Sequence, residues 1–305
     1  MSLTANRWWI YQRERFPVIA HGLLIAAFSV SAMGFSSLLR GQSHLPPLAT
    51  LAAGFCSSFL FFLQLRITDE FKDYDDDTRY RPYRPVQRGL VRLQELARVG
   101  LGAAAVQLIL ALLVDVRLVP ILVGVWAYLA LMTKEFFVRD WLKRHPIVYM
   151  MSHMLIMPCI DLYVTAFDWL HAGSPPPRGL AWFLVVSFCN GIVVEIGRKI
   201  RAPQDEEHGV ETYSVLWGGR NAVLAWLAAM VFTAGAALLA AHYIHFVVQD
   251  ALILAVLLTM ATLIAVSFIR LPQTARARHI EMMSGLWTLL MYTSLGAAPF
   301  LLRAL

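Results

Sequence analysis

The sequence predicts an all-α, polytopic membrane protein, and three observations carry that reading. Only 15% of the 305 residues are charged, against roughly a quarter in a soluble domain. Apolar residues make up 58%, and the mean hydropathy is +0.60. Apolar runs of about 20 residues, enough for a helix to cross ~30 Å of hydrocarbon, recur along the whole chain. The alternating ~10-residue segments of a membrane β-barrel are not seen.

Nine transmembrane helices are expected. The first, 17–40, follows the aromatic, basic stretch "NRWWIYQRERF", in which Trp8 and Trp9 suit an interfacial anchor and not a cleaved leader. The second, 46–66, runs into an acidic stretch. The third and fourth are 94–114 and 118–138, the latter ending near Lys134. The fifth, 146–169, contains His153 and Asp161. The sixth, 179–196, follows the proline-rich turn "HAGSPPPRG" and carries Asn190 and Glu195. The last three are 221–243, 250–269 and 284–303. With the N-terminus cytoplasmic, 22 of the 26 Lys and Arg residues fall on the inner side, which sets the expected orientation. That collar also accounts for the net charge of +6 without a nucleic-acid partner. Cys56, Cys159 and Cys189 are widely spaced in apolar runs, as small buried hydrophobes, with no CxxC metal motif. No linker interrupts the spans, so a single domain over 1–305 is expected.

Eleven of the 20 carboxylates lie in two stretches, 66–92 and 195–211, each following an even-numbered span and four spans apart. Such spacing suggests two similar helical units facing each other. In "DEFKDYDDD", Glu70, Asp73 and Asp77 are three and four residues apart, which stacks them on one helix face. Stacked carboxylates repel one another, and a cation between them reverses the sign. Oxygen ligands without His or Cys select Mg²⁺ or a similar ion, which commonly bridges to phosphate. Arg81, Arg84 and Arg88 alongside are suited to phosphate oxygens. The competing reading is a solvated loop whose charges pair with each other.

The stretch resembles the first aspartate-rich motif of the UbiA superfamily of intramembrane prenyltransferases, NDxxDxxxD. Asp69 stands at the family's Asn, and Glu70, Asp73 and Asp77 stand at its three aspartates. Arg84, Pro85 and Gly89 of "YRPVQRGLV" match the Arg-Pro and Gly that follow. Toward the second family motif, DxxxD followed by Gly and Thr, the sequence offers Glu195, Asp205, Gly209 and Thr212. The resemblance implies a helical bundle with a central cavity, in which two acidic motifs hold Mg²⁺ on the diphosphate of an isoprenoid. Ionisation of the C–O bond then gives an allylic cation that an acceptor, commonly aromatic, attacks. It implies catalytic and metal-binding roles for Asp69, Glu70, Asp73, Asp77, Glu195 and Asp205, and diphosphate contacts from Arg84, Lys134, Arg198 and Lys199.

The second motif departs from the pattern. Read from Glu195, its second Asp is Lys199; read back from Thr212, Arg201 and Asp205 occupy the two positions. A split site follows, in which Glu195 and Asp205 contribute and Arg198 or Lys199 takes part of the diphosphate charge. Lys134 is either a phosphate contact or a snorkelling interfacial residue. Asp161 orients an acceptor or pairs with a neighbouring helix. His153 is a base or a satisfied core histidine, and Asn190 lines the cavity or bonds between helices.

The expected activity is Mg²⁺-dependent transfer of an isoprenoid from an allylic polyprenyl diphosphate to a small aromatic or quinone-like acceptor. A terpene cyclase of the same type, a transporter and a non-catalytic isoprenoid-binding protein are the alternatives. Charges gathered at one face, away from the bilayer midplane, disfavour the transporter.

Overall fold

The computed structural model describes residues 3–303, which are helical apart from connecting turns and contain no strand. The helices are α1 (Leu3–Arg15), α2 (Val18–Leu39), α3 (Leu48–Lys72), α4 (Tyr74–Tyr80), α5 (Leu93–Val114), α6 (Leu118–Thr133), α7 (Arg139–Lys143), α8 (Pro146–Met154), α9 (Ile156–Trp169), α10 (Leu180–Arg198), α11 (Tyr213–Trp217), α12 (Gly219–Tyr243), α13 (Val247–Arg270), α14 (Thr274–Gly296) and α15 (Ala298–Arg303). Among the described residues, successive contacts close a ring: α2, α3, α5, α6, α9, α10, α12, α13, α14 and back to α2.

Seven stretches are long and apolar enough to cross a membrane: α2, α3, α5, α8 with α9, α10, α12 and α13. The expected fourth and ninth spans take a different form. Helix α6 has 16 residues and stops at Thr133, because Glu135, Phe136 and Phe137 turn left-handed with φ of 48°, 53° and 60°. At 1.5 Å per residue it spans only about 24 Å. Helix α14 starts at Thr274, ten residues before the expected position, and carries Arg276, Arg278 and Glu281 in its first turns. The expected fifth span is broken at Leu155 into α8 and α9.

Small residues set how closely the helices approach. The buried stripe of α2 includes Ser29, Ser31, Ala32, Gly34, Ser36 and Ser37. A Cβ on Gly34 would overlap the carbonyl of Gly296, and one on Gly296 would overlap the backbone at Ser31. Such stripes replace the hydrophobic drive that lipid cannot supply. At the end of α2 remote from the acidic stretches, the Arg40 guanidinium donates to both oxygens of Asp168 on α9, at 3.0 and 2.6 Å.

Helix α1 was not anticipated as an element. Tyr11 on it packs with Ile67 of α3 and Leu96 of α5. Arg7 donates to Glu95 at 2.8 Å, and Arg88 to Glu14 at 2.9 Å. An apolar groove of about 410 Å³ lies between these helices, lined among others by Trp9, Phe16, Phe59 and Leu63.

Candidate active site

Helix α3 opens after Pro46 and Pro47 and ends at Asp73, where the backbone leaves the helix before α4 resumes it. The acidic stretch is therefore bent at its middle carboxylate. Asp69 lies between Arg66 and Lys72, at 3.5 and 3.7 Å. Asp77 is held by Arg84 and, at 3.6 Å, by Arg81. Asp73 makes no ion pair within 4 Å among the described residues. Burial pushes its carboxyl up, and the charges of Asp69 and Asp77 push the same way, against Lys72 and Arg84. A desolvated carboxylate flanked by two others is where an added cation is most favourable.

Glu70 points elsewhere. The buried stripe of α3 runs Thr50, Ala53, Ser57, Phe61, Gln64, Ile67 and on to Glu70. Its side chain is wholly buried and accepts from Arg15 Nε at 2.5 Å, tying α1 to α3. Its second oxygen has no hydrogen-bond partner.

The second stretch meets the first at the same end of the ring. Glu195, on the last turn of α10, accepts from Arg198 Nε at 2.7 Å and pairs with Lys199 at 2.8 Å. Lys199 Nζ also stands 5.6 Å over the ring of Tyr213. Beyond α10 the chain returns across α4. Glu207 accepts from Arg201 at 2.9 Å and from the Tyr83 hydroxyl at 3.4 Å, and lies 3.9 Å from Arg81. The Arg201 hydrogen bond holds the Glu207 carboxyl below its usual range. Gly209, at φ +76°, packs its Cα on the ring of Tyr80, where any Cβ would overlap. Thr212 caps α11 through Val215 N at 3.2 Å and donates to Glu206 at 2.7 Å. Asp205 sits in a single 3₁₀ turn, Pro203–Asp205, and its carbonyl accepts from Arg201.

A third wall comes from the turn after α6. Glu135 is buried, pairs with Arg139 at 3.0 Å, and accepts from the Tyr149 hydroxyl at 3.2 Å. Lys72 Nζ stands 5.6 Å over the Tyr149 ring. His153, one turn along α8, stacks on the same ring at 4.0 Å and meets Phe136 edge-on. Its Nδ1 donates to the Tyr149 carbonyl at 2.8 Å, and its Nε2 is buried without a partner. Lys72, Asp69 and Glu195 are all close enough to act on this imidazole. Asp76 pairs with Lys143 at 3.1 Å and Arg139 at 3.4 Å, clamping this turn to α4.

The structure thus gathers Asp69, Asp73, Asp77, Arg84, Glu195, Arg198, Lys199 and His153 of the residues singled out in the sequence. Lys134 is exposed at the end of α6; the lysine among the acids is Lys72. Asp161 and Asn190 lie deeper, between α9, α10 and α14. The Tyr292 hydroxyl reaches Asp161 at 3.2 Å and Ser187 at 3.0 Å. The Asn190 amide is buried beside the same hydroxyl. Lys72, Tyr149 and Glu207 escaped sequence reasoning. The signal for one was present: Tyr149 and His153 are four residues apart, the spacing that stacks two rings on a helix.

Among the described residues, no three His, Cys, Asp or Glu side chains already converge as a metal-ligand set. The first stretch still fits Mg²⁺ by its chemistry: three aspartates supply only hard oxygens, and the middle one lacks a cation. The second stretch does not. It has one carboxylate on α10, and four residues on stands Lys199, which cannot be a ligand while protonated.

A ring of largely apolar helices carries an acidic, cation-rich cluster at one end. The UbiA prenyltransferase family model matches residues 27–289, and the chain belongs to that family. Three solved structures are similar in fold. The apo structure of a UbiA homologue from Aeropyrum pernix K1 has a TM-score of 0.68 at 14% identity, covering 92% of this chain and 98% of the other. A digeranylgeranylglyceryl phosphate synthase gives 0.59 at 13%, covering 93% and 99%. A UbiA homologue from Archaeoglobus fulgidus, bound to DMAPP and Mg²⁺, gives 0.56 at 11%, covering 94% and 99%. No curated protein sequence matches the chain.

Proposed function

We propose that this chain, as one domain over 1–305, is a membrane-embedded, Mg²⁺-dependent prenyltransferase. It moves an isoprenoid from an allylic polyprenyl diphosphate to a small aromatic or quinone-like acceptor. The observation that carries this reading is the meeting of the two acidic stretches, where Glu207 lies between Arg81 and Arg201 and Gly209 rests on Tyr80, in a chain of this family. Similarity to a homologue solved with DMAPP and Mg²⁺ supports it. The Lys and Arg bias of the sequence supports a cytoplasmic position for the site.

Asp69, Asp73 and Asp77 are the residues to hold Mg²⁺; Glu70, engaged with Arg15, supports the wall behind them. Bound there, the metal supplies charge neutralisation to a departing diphosphate. Arg84 and Lys72 leave their carboxylates to meet the phosphate oxygens as these gain charge. The rings of Tyr149 and Phe136 line this wall, and the face of Tyr149 that Lys72 leaves is free for the allylic cation. Packed apolar side chains exclude the water that would quench it. Asn190, its amide buried beside the Tyr292 hydroxyl, can turn to bond a polar group of the acceptor.

The test is diphosphate release by detergent-purified protein offered C10 to C20 allylic diphosphates, with Mg²⁺ or EDTA. Release is expected only with Mg²⁺ and is lost in Asp73→Ala. A hydrocarbon product without acceptor would instead identify a cyclase. Absence of release across the series, with substrate still bound, overturns the reading.

A further inference from the structure

The site is richer in cations than in carboxylates. Asp69, Asp73, Asp77 and Glu195 share Arg66, Lys72, Arg81, Arg84, Arg198 and Lys199. On the α3–α4 side three aspartates face four cations, whereas on the α10 side a single carboxylate, Glu195, faces two. Its side chain is 9% exposed, whereas those of Arg198 and Lys199 are 46% and 37% exposed. The carboxylate is thus sealed in the wall, while both cations can be reached from outside it. The loop that follows them meets the first stretch, Glu207 lying 3.9 Å from Arg81. Lys199 occupies the position where the family motif, read from Glu195, has its second aspartate.

We propose that this half of the site grips diphosphate directly, with Arg198 and Lys199, and holds no metal ion. The inference rests on the diphosphate reading above. Glu195 accepts from Arg198 and pairs with Lys199, holding both cations at the wall. An arriving diphosphate, with more charge and more acceptor oxygens, draws both cations toward itself, and Glu195 keeps them aimed. Arg198 can present two parallel N–H groups to one phosphate, and Lys199 a point charge to the other. The metal stays with Asp69, Asp73 and Asp77. The ligand class is a diphosphate, free or at the head of an isoprenoid, engaged in part without metal.

Inorganic pyrophosphate is the probe, because it requires neither an acceptor nor turnover. Its binding to the full-length detergent-purified protein is measured by calorimetry in EDTA and in Mg²⁺. Bound metal is counted by equilibrium dialysis with Mn²⁺. In EDTA the wild type is expected to keep measurable binding. Lys199→Gln and Arg198→Gln should each weaken it by about 10-fold or more, the size of one lost charge-assisted contact. With saturating pyrophosphate the wild type should take up a single Mn²⁺. Lys199→Asp, which restores the family's carboxylate pair at i and i+4, should lose binding in EDTA and take up a second Mn²⁺. Two Mn²⁺ in the wild type, or no binding in EDTA, overturns the proposal without recourse to any variant. So does binding in EDTA that survives both glutamine substitutions. Pyrophosphate binding without metal, in a protein that ionises no allylic diphosphate, would uphold this grip and remove prenyl transfer.

Discussion

Glu70 and Asp73 are three residues apart and do different work. Glu70 extends the buried stripe of α3 and meets Arg15, whereas Asp73 sits at the bend without an ion pair. Arg15→Met should therefore strand a buried charge and cost about 3–5 kcal/mol, with Arg15→Met/Glu70→Leu recovering most of it. Chemical unfolding in detergent checks this; additive losses in the double variant would remove the pair from the account. Glu70→Gln should lower the melting temperature while leaving the Mg²⁺ concentration for half-maximal diphosphate release within about 3-fold, since no metal ligand is lost. A shift as large as that of Asp73→Asn would place Glu70 among the ligands. The acids themselves were legible from spacing. The turn of Glu70 away from them was not, because its partner lies 55 residues away and only the packed bundle brings the two together.

At the scale of elements, three segments enclose the site: the bent α3–α4 junction, the left-handed turn at Glu135–Phe137, and the loop from Arg201 to Thr212. The last is seated by Gly209 on Tyr80. Gly209→Ala should cost the loop roughly 1–3 kcal/mol through positive φ and the overlap with the ring. Hydrogen exchange should quicken across 201–211 with little change in α12 or α13. Protection equal to the wild type would mean that the contact does not hold the loop. The helices were legible because their apolar runs are long. Their ends were less so: nothing in "TKEFF" announces three left-handed residues without glycine. That turn is held by tertiary partners, Glu135 by Tyr149 and Arg139, and Phe136 by Tyr128 and His153.

At the scale of the molecule, the ring closes where α14 returns to α2 at Gly34 and Gly296. Gly34→Val would wedge these helices apart, and an overpacked contact of this kind costs about 1–3 kcal/mol or more. A lower melting temperature in detergent is expected, with the loss shared by the whole ring; an unchanged value would show that α2 and α14 can separate freely. The ring order of the helices was not legible in the sequence, where α2 and α14 are remote. Their serine and glycine stripes show only that some close neighbour exists.

The bond between Arg15 and Glu70 also reports on geography. Helix α2 leaves the acidic end and α3 comes back to it, so α1 and the acids share one side of whatever membrane the chain occupies. A reactive cysteine or a reporter fused ahead of Leu3 therefore locates the chemistry as well as the N-terminus. One labelling experiment on intact cells answers both questions at once.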